Sequence, residues 1–245
     1  MQSTLQKEKE IFSGNFLKVN ILFLIFLSAA ILIHIRNNDN ARTVFLILII
    51  GIFGIYLNFQ YSPENIFGFL FFKDTSFSNP VILLILFPIV IILTGNIYCG
   101  YLCPFGAIQE MIGNLCPASL TPDISKPVWK WLKLTKYLIF FAIAFIYIYN
   151  GDAIIFKNDP LTTFFSKLYI YKVIYFSFFI FICSFFYKRF WCRNLCPSGA
   201  FLSFFNEISL SKYFLKKPVP AKCDLGVQNQ DELDCINCDK CKIKN

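Results

Sequence analysis

The sequence NIYCGYLCPFGA at residues 96–107 indicates how this chain is organised, because it follows an apolar run and recurs later in the chain. A second copy, FWCRNLCPSGA, occupies residues 190–200, and the two copies align at a constant offset of 93 positions. Each copy carries two cysteines separated by three residues, followed by a proline. The residues identical in the two copies are Cys99, Leu102, Cys103, Pro104, Gly106 and Ala107, with Cys192, Leu195, Cys196, Pro197, Gly199 and Ala200. Two such copies predict a repeated unit that ends in Cys-x-x-x-Cys-Pro.

The chain is too apolar for an ordinary soluble domain. Of its 245 residues 56% are hydrophobic, and the mean hydropathy is +0.57. A helix that crosses a bilayer needs about 20 apolar residues, whereas barrel strands would alternate apolar and polar residues. Five runs are apolar throughout, at 16–35, 43–59, 81–98, 134–150 and 169–187. The sequence therefore predicts an all-α integral membrane protein with five transmembrane helices.

The repeat divides the chain into three parts. Residues 1–42 form an N-terminal anchor helix and loop, and residues 211–245 form a short C-terminal segment. Residues 43–210 between them form a transmembrane domain of two hairpins, 43–116 and 134–209. The outer segments at 64–72 and 160–166 are apolar but too short to span a bilayer, which predicts that they are interfacial or re-entrant.

The basic residues predict the orientation. If both cysteine motifs and the C-terminus lie on one side, that side carries 16 of the 23 Lys and Arg residues and the other side carries 7. The positive-inside rule then predicts a multi-pass protein of the bacterial inner membrane with a cytoplasmic C-terminus. The basic residues line membrane edges and no Gly-rich phosphate loop is present, so we predict no nucleic-acid partner.

The motif cysteines have the features of reactive thiols. If the returning helix continued through the motif, Cys99 and Cys103 would lie on one face, four positions apart. Pro104 suits the first turn of a new helix, whose N-terminus stabilises a nearby thiolate, and Arg193 would act similarly in the second motif. Four thiols could hold one iron–sulfur cluster shared between the repeats. The alternatives are a redox dithiol in each repeat, another metal, or plain helix-end cysteines; zinc usually takes Cys-x-x-Cys spacing.

The C-terminal segment carries a second set of cysteines. Cys235, Cys238 and Cys241 form Cys-x-x-Cys-x-x-Cys, the core of a bacterial ferredoxin run. The usual fourth cysteine would fall at Asn245, but Cys223 lies where the end of a preceding run is expected. We therefore predict that these four cysteines hold one [4Fe–4S] cluster in a ferredoxin-like segment, with a zinc knuckle as the alternative.

The remaining candidates indicate no further cofactor. Cys116 and Cys183 have no partner at a metal-binding spacing, and a buried free cysteine is ordinarily a small hydrophobe. His34 is the only histidine. One histidine cannot supply both axial ligands of a bis-histidine haem, so no haem is expected.

The motifs CGYLCPFGA, CRNLCPSGA and CINCDKC give residues 43–245 a resemblance to the NapH/NosR-type membrane iron–sulfur proteins. The resemblance implies electron transfer between cytoplasmic donors or the quinone pool and membrane or periplasmic redox proteins. Other redox proteins, quinone and membrane lipid are thus the expected partners. No residue set indicates catalysis, so the chain is interpreted as a non-catalytic electron-transfer subunit of an oxidoreductase system. A membrane thiol–disulfide redox sensor and an anchor subunit of an oxidoreductase complex are the alternatives.

Overall fold

The computed structural model describes most of the hydrophobic part of the chain. The described residues are 16–36, 38–58, 61–70, 80–117, 120, 126–150, 164–165, 171–210 and 235–238. Within these ranges the secondary structure is helical and no strand occurs. The prediction of an all-α protein is therefore confirmed for this part of the chain.

The helices follow the apolar runs, with short turns inserted at the motifs. Those up to the first motif are α1 (Phe16–Arg36), α2 (Asp39–Ile49), the π-helix π1 (Ile50–Tyr56), α3 (Pro63–Leu70), α4 (Pro80–Thr94) and the π-helix π2 (Tyr98–Leu102). Those that follow are α5 (Pro104–Asn114), α6 (Lys126–Asn150), α7 (Tyr171–Phe186), α8 (Phe190–Asn194) and α9 (Pro197–Glu207). The predicted short outer segment at 64–72 corresponds to the eight-residue helix α3.

The two repeats are interlocked through their last helices. Helix α5, which follows the first motif, packs against α7 of the second repeat as well as against α2 and π1 of its own. Helix α9, which follows the second motif, packs against α4 of the first repeat and against α6 of its own. Each motif helix thus contacts the returning helix of the other repeat. The two cysteine motifs are brought together by this exchange.

Close approach between α5 and α7 depends on a glycine. A Cβ added at Gly113 would lie 2.9 Å from the carbonyl oxygen of Ser184 and 3.1 Å from the Cα of Lys188. Both are backbone atoms, which cannot rotate away as a flexible side chain could. The first motif helix therefore needs glycine here to reach the second repeat.

The structure supports the membrane prediction only in part. Among the described residues, the continuous helix Asp39–Tyr56 is long and apolar enough to cross a membrane, and three shorter apolar helices span Ile21–Arg36, Leu134–Tyr149 and Val173–Phe186. Many of their large apolar side chains point outward, including Leu138, Phe145 and Phe178. Five transmembrane helices therefore remain a prediction.

Candidate functional site

The second cysteine of each motif caps a helix. The Sγ atom of Cys103 accepts a hydrogen bond from the backbone N–H of Gly106 at 3.4 Å, at the start of α5. The Sγ atom of Cys196 accepts the equivalent bond from Gly199 at 3.3 Å, at the start of α9. The prolines that follow occupy the first turn, as predicted. Both sulfurs therefore face the positive end of a helix dipole, which stabilises the thiolate form.

The first cysteine of each motif does not continue the returning helix, which corrects the expectation of one unbroken helical face. Helix α4 ends at Thr94, and the left-handed φ of 82° at Gly95 breaks its path. Cys99 then lies in π2, a type of turn often found at functional sites. In the second repeat Arg189 has a φ of 60°, and Cys192 lies in the short helix α8. Each motif is thus a separate turn, not the end of a long helix.

Sulfur atoms of different repeats are in contact. The Cys103 thiolate accepts a hydrogen bond from the Cys192 thiol, which lowers the pKa of Cys103 and raises the pKa of Cys192. The amide Nε2 of Gln109 also donates to the Cys192 sulfur, at 3.7 Å. Cys99 and Cys196 are near enough to this pair to interact with it electrostatically. The structure therefore gathers one end of each repeat around four thiols, with a hydrogen-bonded pair formed between the repeats.

Glycines leave room beside these sulfurs. A Cβ at Gly106 would lie 3.4 Å from the sulfur of Cys192, and a Cβ at Gly199 would lie 3.7 Å from the sulfur of Cys196. Four thiols with N–H donors directed at two of them match the donor chemistry of an iron–sulfur cluster. Within the described ranges, no group of three or more His, Cys, Asp and Glu side chains is arranged to hold a metal ion. The four motif thiols thus fit a cluster by their donor chemistry and by their location at the repeat interface.

A buried ion-pair network supports the motif region. Glu110 on α5 accepts hydrogen bonds from Arg42 on α2 at 2.5 and 2.8 Å, and from Arg189 at 2.5 and 2.8 Å. The three side chains are at most 4% exposed. Arg189 also donates to the carbonyl oxygens of Cys99 and Gly100. One arginine of the second repeat thus fixes the backbone of the first motif.

A further buried cation approaches the thiols from the second repeat. Lys136 on α6 donates a hydrogen bond to the hydroxyl of Ser203 on α9 at 3.2 Å and is 3% exposed. It borders a small pocket that also contains Cys99, Cys192 and Arg193. Positive charge near thiols favours their anionic form, and thiolates are the form that binds metal. Arg193, predicted from the sequence, lies at this pocket, but Arg189 and Lys136 were not predicted as site residues.

Two amide side chains tie each motif helix to the opposite repeat. The Oδ1 atom of Asn206 on α9 accepts a hydrogen bond from the backbone N–H of Asn96, just before the first motif, at 3.1 Å. The Oε1 atom of Gln109 on α5 accepts a hydrogen bond from the backbone N–H of Trp191, just before Cys192, at 3.1 Å. The same kind of contact therefore occurs twice, once in each direction across the repeat interface.

The described part of the C-terminal segment lies against this region. Asn206 donates through Nδ2 to the carbonyl oxygen of Cys235 at 3.2 Å, and Asn237 donates to the carbonyl of Thr94 at 3.2 Å. Cys238 is buried and lies within electrostatic range of Arg42 and Arg189. Cys223 and Cys241, the other two predicted tail ligands, lie outside the described residues.

The sequence contained a signal for the missed residues. Glu110 is an acidic residue on a segment that otherwise carries no charge between the first motif and Asn114. Arg42 and Arg189 stand at the edges of apolar runs, where the sequence indicates only a role in orientation. An acid and two bases at the same predicted membrane edge indicate a buried ion-pair network, because isolated charges are costly there.

Sequence comparisons identify the class of this chain. A family model described as a 4Fe-4S binding domain matches residues 78–121 and 171–218. These two segments contain all four motif cysteines and none of the tail cysteines. Each copy of the cysteine motif thus lies in a segment that is similar to a 4Fe-4S binding domain.

Several curated proteins align with most of the chain. Protein NirI of Paracoccus denitrificans is 26% identical over 82% of this chain and 34% of its own length. The putative electron transport protein YccM of Escherichia coli is 27% identical over 66% of the chain and 44% of its own length. The regulatory protein NosR of Pseudomonas aeruginosa is 26% identical over 76% of the chain and 28% of its own length.

These matches confirm the resemblance to the NapH/NosR-type iron–sulfur proteins that the motifs indicate. The chain spans about a third of the length of NirI and somewhat less of NosR. No solved structure matches the chain.

Proposed function

We propose that this chain is a membrane-bound electron-transfer protein in which Cys99, Cys103, Cys192 and Cys196 share one [4Fe–4S] cluster between the repeats. A second [4Fe–4S] cluster is held by the tail cysteines Cys223, Cys235, Cys238 and Cys241. The chain passes single electrons between redox proteins, with the quinone pool as one candidate partner, and has no substrate chemistry of its own.

The contact between Cys103 and Cys192 is the observation that carries this proposal. Two thiols 89 positions apart come into hydrogen-bond contact only because α5 and α9 exchange partners between the repeats. The family model also matches the two segments that contain these cysteines. A 4Fe-4S domain repeated twice, with its thiols meeting at the repeat interface, favours one shared centre over two separate ones.

The charges around the thiols suit an anionic group. A cluster with four thiolate ligands carries net negative charge, and nearby charges and hydrogen bonds to sulfur set its reduction potential. Arg189 and Lys136 supply buried positive charge, and the N–H groups of Gly106 and Gly199 donate to sulfur. When bound, the cluster would supply the one-electron couple, while these residues hold its ligands and balance its charge.

The membrane location rests on the outward apolar side chains of the long helices. Polar and charged residues are buried at the thiol end, whereas large apolar residues face outward along α2, α6 and α7. This arrangement suits a lipid environment, with the thiols and the C-terminus at the cytoplasmic edge of a bacterial inner membrane. A fusion of alkaline phosphatase to the C-terminus should be inactive and a GFP fusion fluorescent; the opposite pair of results would reverse the orientation.

A thiol–disulfide function is the second candidate, and the same contact favours it. Cys103 and Cys192 are already adjacent, and a lowered pKa makes a thiol more reactive. In that case the reactive pair is formed between the repeats, not within one motif as the sequence suggested. An intramolecular disulfide would then replace the motif-bound iron.

Iron analysis of anaerobically purified variants tests the proposal. A chain with all four tail cysteines replaced by alanine should keep about four iron atoms, the content of a single [4Fe–4S] centre. Adding Cys103→Ala should remove this iron and make Cys192 and Cys196 accessible to alkylation. Cys116→Ala in the same background is the matched control and should leave the iron in place.

The outcomes separate the two functions. A tail-less chain that contains no iron, and whose Cys103 and Cys192 form a disulfide on mild oxidation, would reject the shared cluster and favour the thiol–disulfide function. For the tail, Cys223→Ala should remove as much iron from the intact chain as Cys238→Ala does. Full iron content in Cys223→Ala protein would exclude Cys223 as the fourth ligand.

A further inference from the structure

The tail contacts the first motif at a position where only glycine leaves room. A Cβ added at Gly100 would lie 2.5 Å from the carbonyl oxygen of Ile236 and 3.5 Å from that of Asn237. No Cβ approaches a backbone oxygen that closely, so any side chain at residue 100 must displace the tail. Gly100 has no left-handed φ. Its role is therefore to make space for the tail backbone.

The two motifs differ at this position. Residue 193 corresponds to residue 100 at the repeat offset, and it is an arginine with a buried side chain. The second motif thus carries a buried side chain at the position where the first motif carries none. The space beside Gly100 receives the tail backbone.

Hydrogen bonds to both repeats hold the tail in this position. The amide of Asn206 binds the carbonyl of Cys235, and the amide of Asn237 binds the carbonyl of Thr94 at the end of α4. Asn237 has a φ of 47°, a conformation that asparagine tolerates better than most residues. Ile236 borders the pocket that contains Cys99 and Cys192. The tail thus closes the pocket that faces the motif thiols.

We propose that Gly100 is a docking notch that fixes the C-terminal cysteine segment on the first motif, so that the tail centre lies directly beside the motif thiols. The docking is a property of the chain itself, while its use for electron transfer rests on the proposed function. In that transfer one centre is oxidised by one electron and the other is reduced by one. No bond forms or breaks and no proton is required. Arg189 interacts with both the first motif and the tail, since it binds the carbonyl of Gly100 and lies within electrostatic range of Cys238.

Hydrogen exchange of the full-length holoprotein tests the docking. Amides in the peptide that contains residues 235–238 should be protected in the parent chain and should exchange about tenfold faster or more in Gly100→Ala, because the added methyl group separates the tail from the motif. Gly51→Ala is the matched control, since nothing lies within 4 Å of a Cβ at that position. Equal protection of the tail in Gly100→Ala and the parent would overturn the proposal.

A second variant protects the test against a folding defect. Asn237→Gly keeps the left-handed backbone but removes the hydrogen bond to Thr94, and it leaves the first motif unchanged. It should also speed exchange of the tail, by a smaller factor than Gly100→Ala. Unchanged tail exchange in this variant would count against the docking even if Gly100→Ala were misfolded.

EPR spectra of the same reduced proteins separate the docking from the electron-transfer function. In the parent chain two reduced clusters held close together should broaden each other's signals. In Gly100→Ala this interaction should disappear while the iron content stays the same. Loss of tail protection in a protein without motif iron would support the docking and reject the shared cluster, whereas an unchanged interaction in Gly100→Ala would reject the docking.

Discussion

The two repeats have the same backbone plan at their motifs but differ in the charge that supports it. Glu110 of the first repeat and Ser203 of the second occupy equivalent positions, and each meets a cation from the outgoing helix of its own repeat. Glu110 binds Arg42 and also Arg189 of the other repeat, whereas Ser203 offers Lys136 only a hydroxyl group. The first repeat therefore meets its cation with a carboxylate, whereas the second meets its cation with a hydroxyl group. A duplicated fold can thus conserve helix caps and packing while each copy acquires its own electrostatic role.

The largest expected effect comes from removing the only carboxylate described in this network. Glu110→Ala would leave two buried guanidinium groups without their carboxylate partner, and breaking a buried ion pair in this way costs about 3–5 kcal/mol. Ser203→Ala, the equivalent change in the second repeat, removes one hydrogen bond to a charged group and should cost about 1.5–3 kcal/mol. Unfolding in mixed detergent and SDS micelles measures both free energies. Equal losses would show that the charge difference between the repeats has no energetic consequence.

A smaller effect is expected where α5 contacts α7. Gly113→Ala places a methyl group against the backbone of Ser184 and Lys188, and forcing extra volume into a packed contact costs about 1–3 kcal/mol. The position on α9 that is equivalent to Gly113 is occupied by Asn206, so the second repeat has no glycine there. Gly51→Ala should change the free energy of unfolding by no more than about 0.5 kcal/mol, because the added methyl group meets nothing. If both alanine variants unfold alike, the exchange of motif helices between the repeats does not depend on this glycine.

The two interlocking amides should have similar effects on stability. Gln109→Leu and Asn206→Leu each leave a backbone N–H of the opposite repeat without its acceptor, at a cost of about 1–3 kcal/mol. Their effects on the tail should differ, because only Asn206 binds the carbonyl of Cys235. Hydrogen exchange of residues 235–238 should therefore become faster in Asn206→Leu and stay unchanged in Gln109→Leu. Equal effects on the tail would remove this distinction between the repeats.

The smallest effect is expected at Cys183, one of the two cysteines of the repeats that have no equivalent thiol in the other repeat. Cys183 on α7 corresponds to Val90 on α4, so Cys183→Val makes the two returning helices more alike. A replacement of similar volume at a partly buried site should cost less than about 1.5 kcal/mol. The iron content should not change, because the sequence predicts only a packing role for Cys183. Loss of iron in this variant would add Cys183 to the site residues.

The local features of the site could be predicted from the sequence with few exceptions. The spacing of the motifs identified the helices that start at Pro104 and Pro197, and both are present with a cysteine cap. The expectation of an unbroken helical face through Cys99 and Cys103 was wrong, because Gly95 and the turn π2 separate these cysteines from α4. A left-handed backbone conformation costs glycine little energy, but the sequence alone does not reveal that the helix ends before Gly95. Arg193 was predicted near the thiols, whereas Arg189, which has a left-handed backbone conformation, fixes the first motif from across the repeat interface.

The duplicated cysteine motif, the helical content and the sign of the charge near the thiols can all be predicted from the sequence. These properties follow from composition, spacing and helix chemistry, which act over a few residues along the chain. The contact of Cys103 with Cys192, the binding of Glu110 to both Arg42 and Arg189, and the place of the tail beside Gly100 are seen only in the folded chain. Each of these contacts joins residues more than 60 positions apart. Such pairs depend on which helices pack together, and the repeated sequence alone did not fix that each motif helix packs against the other repeat.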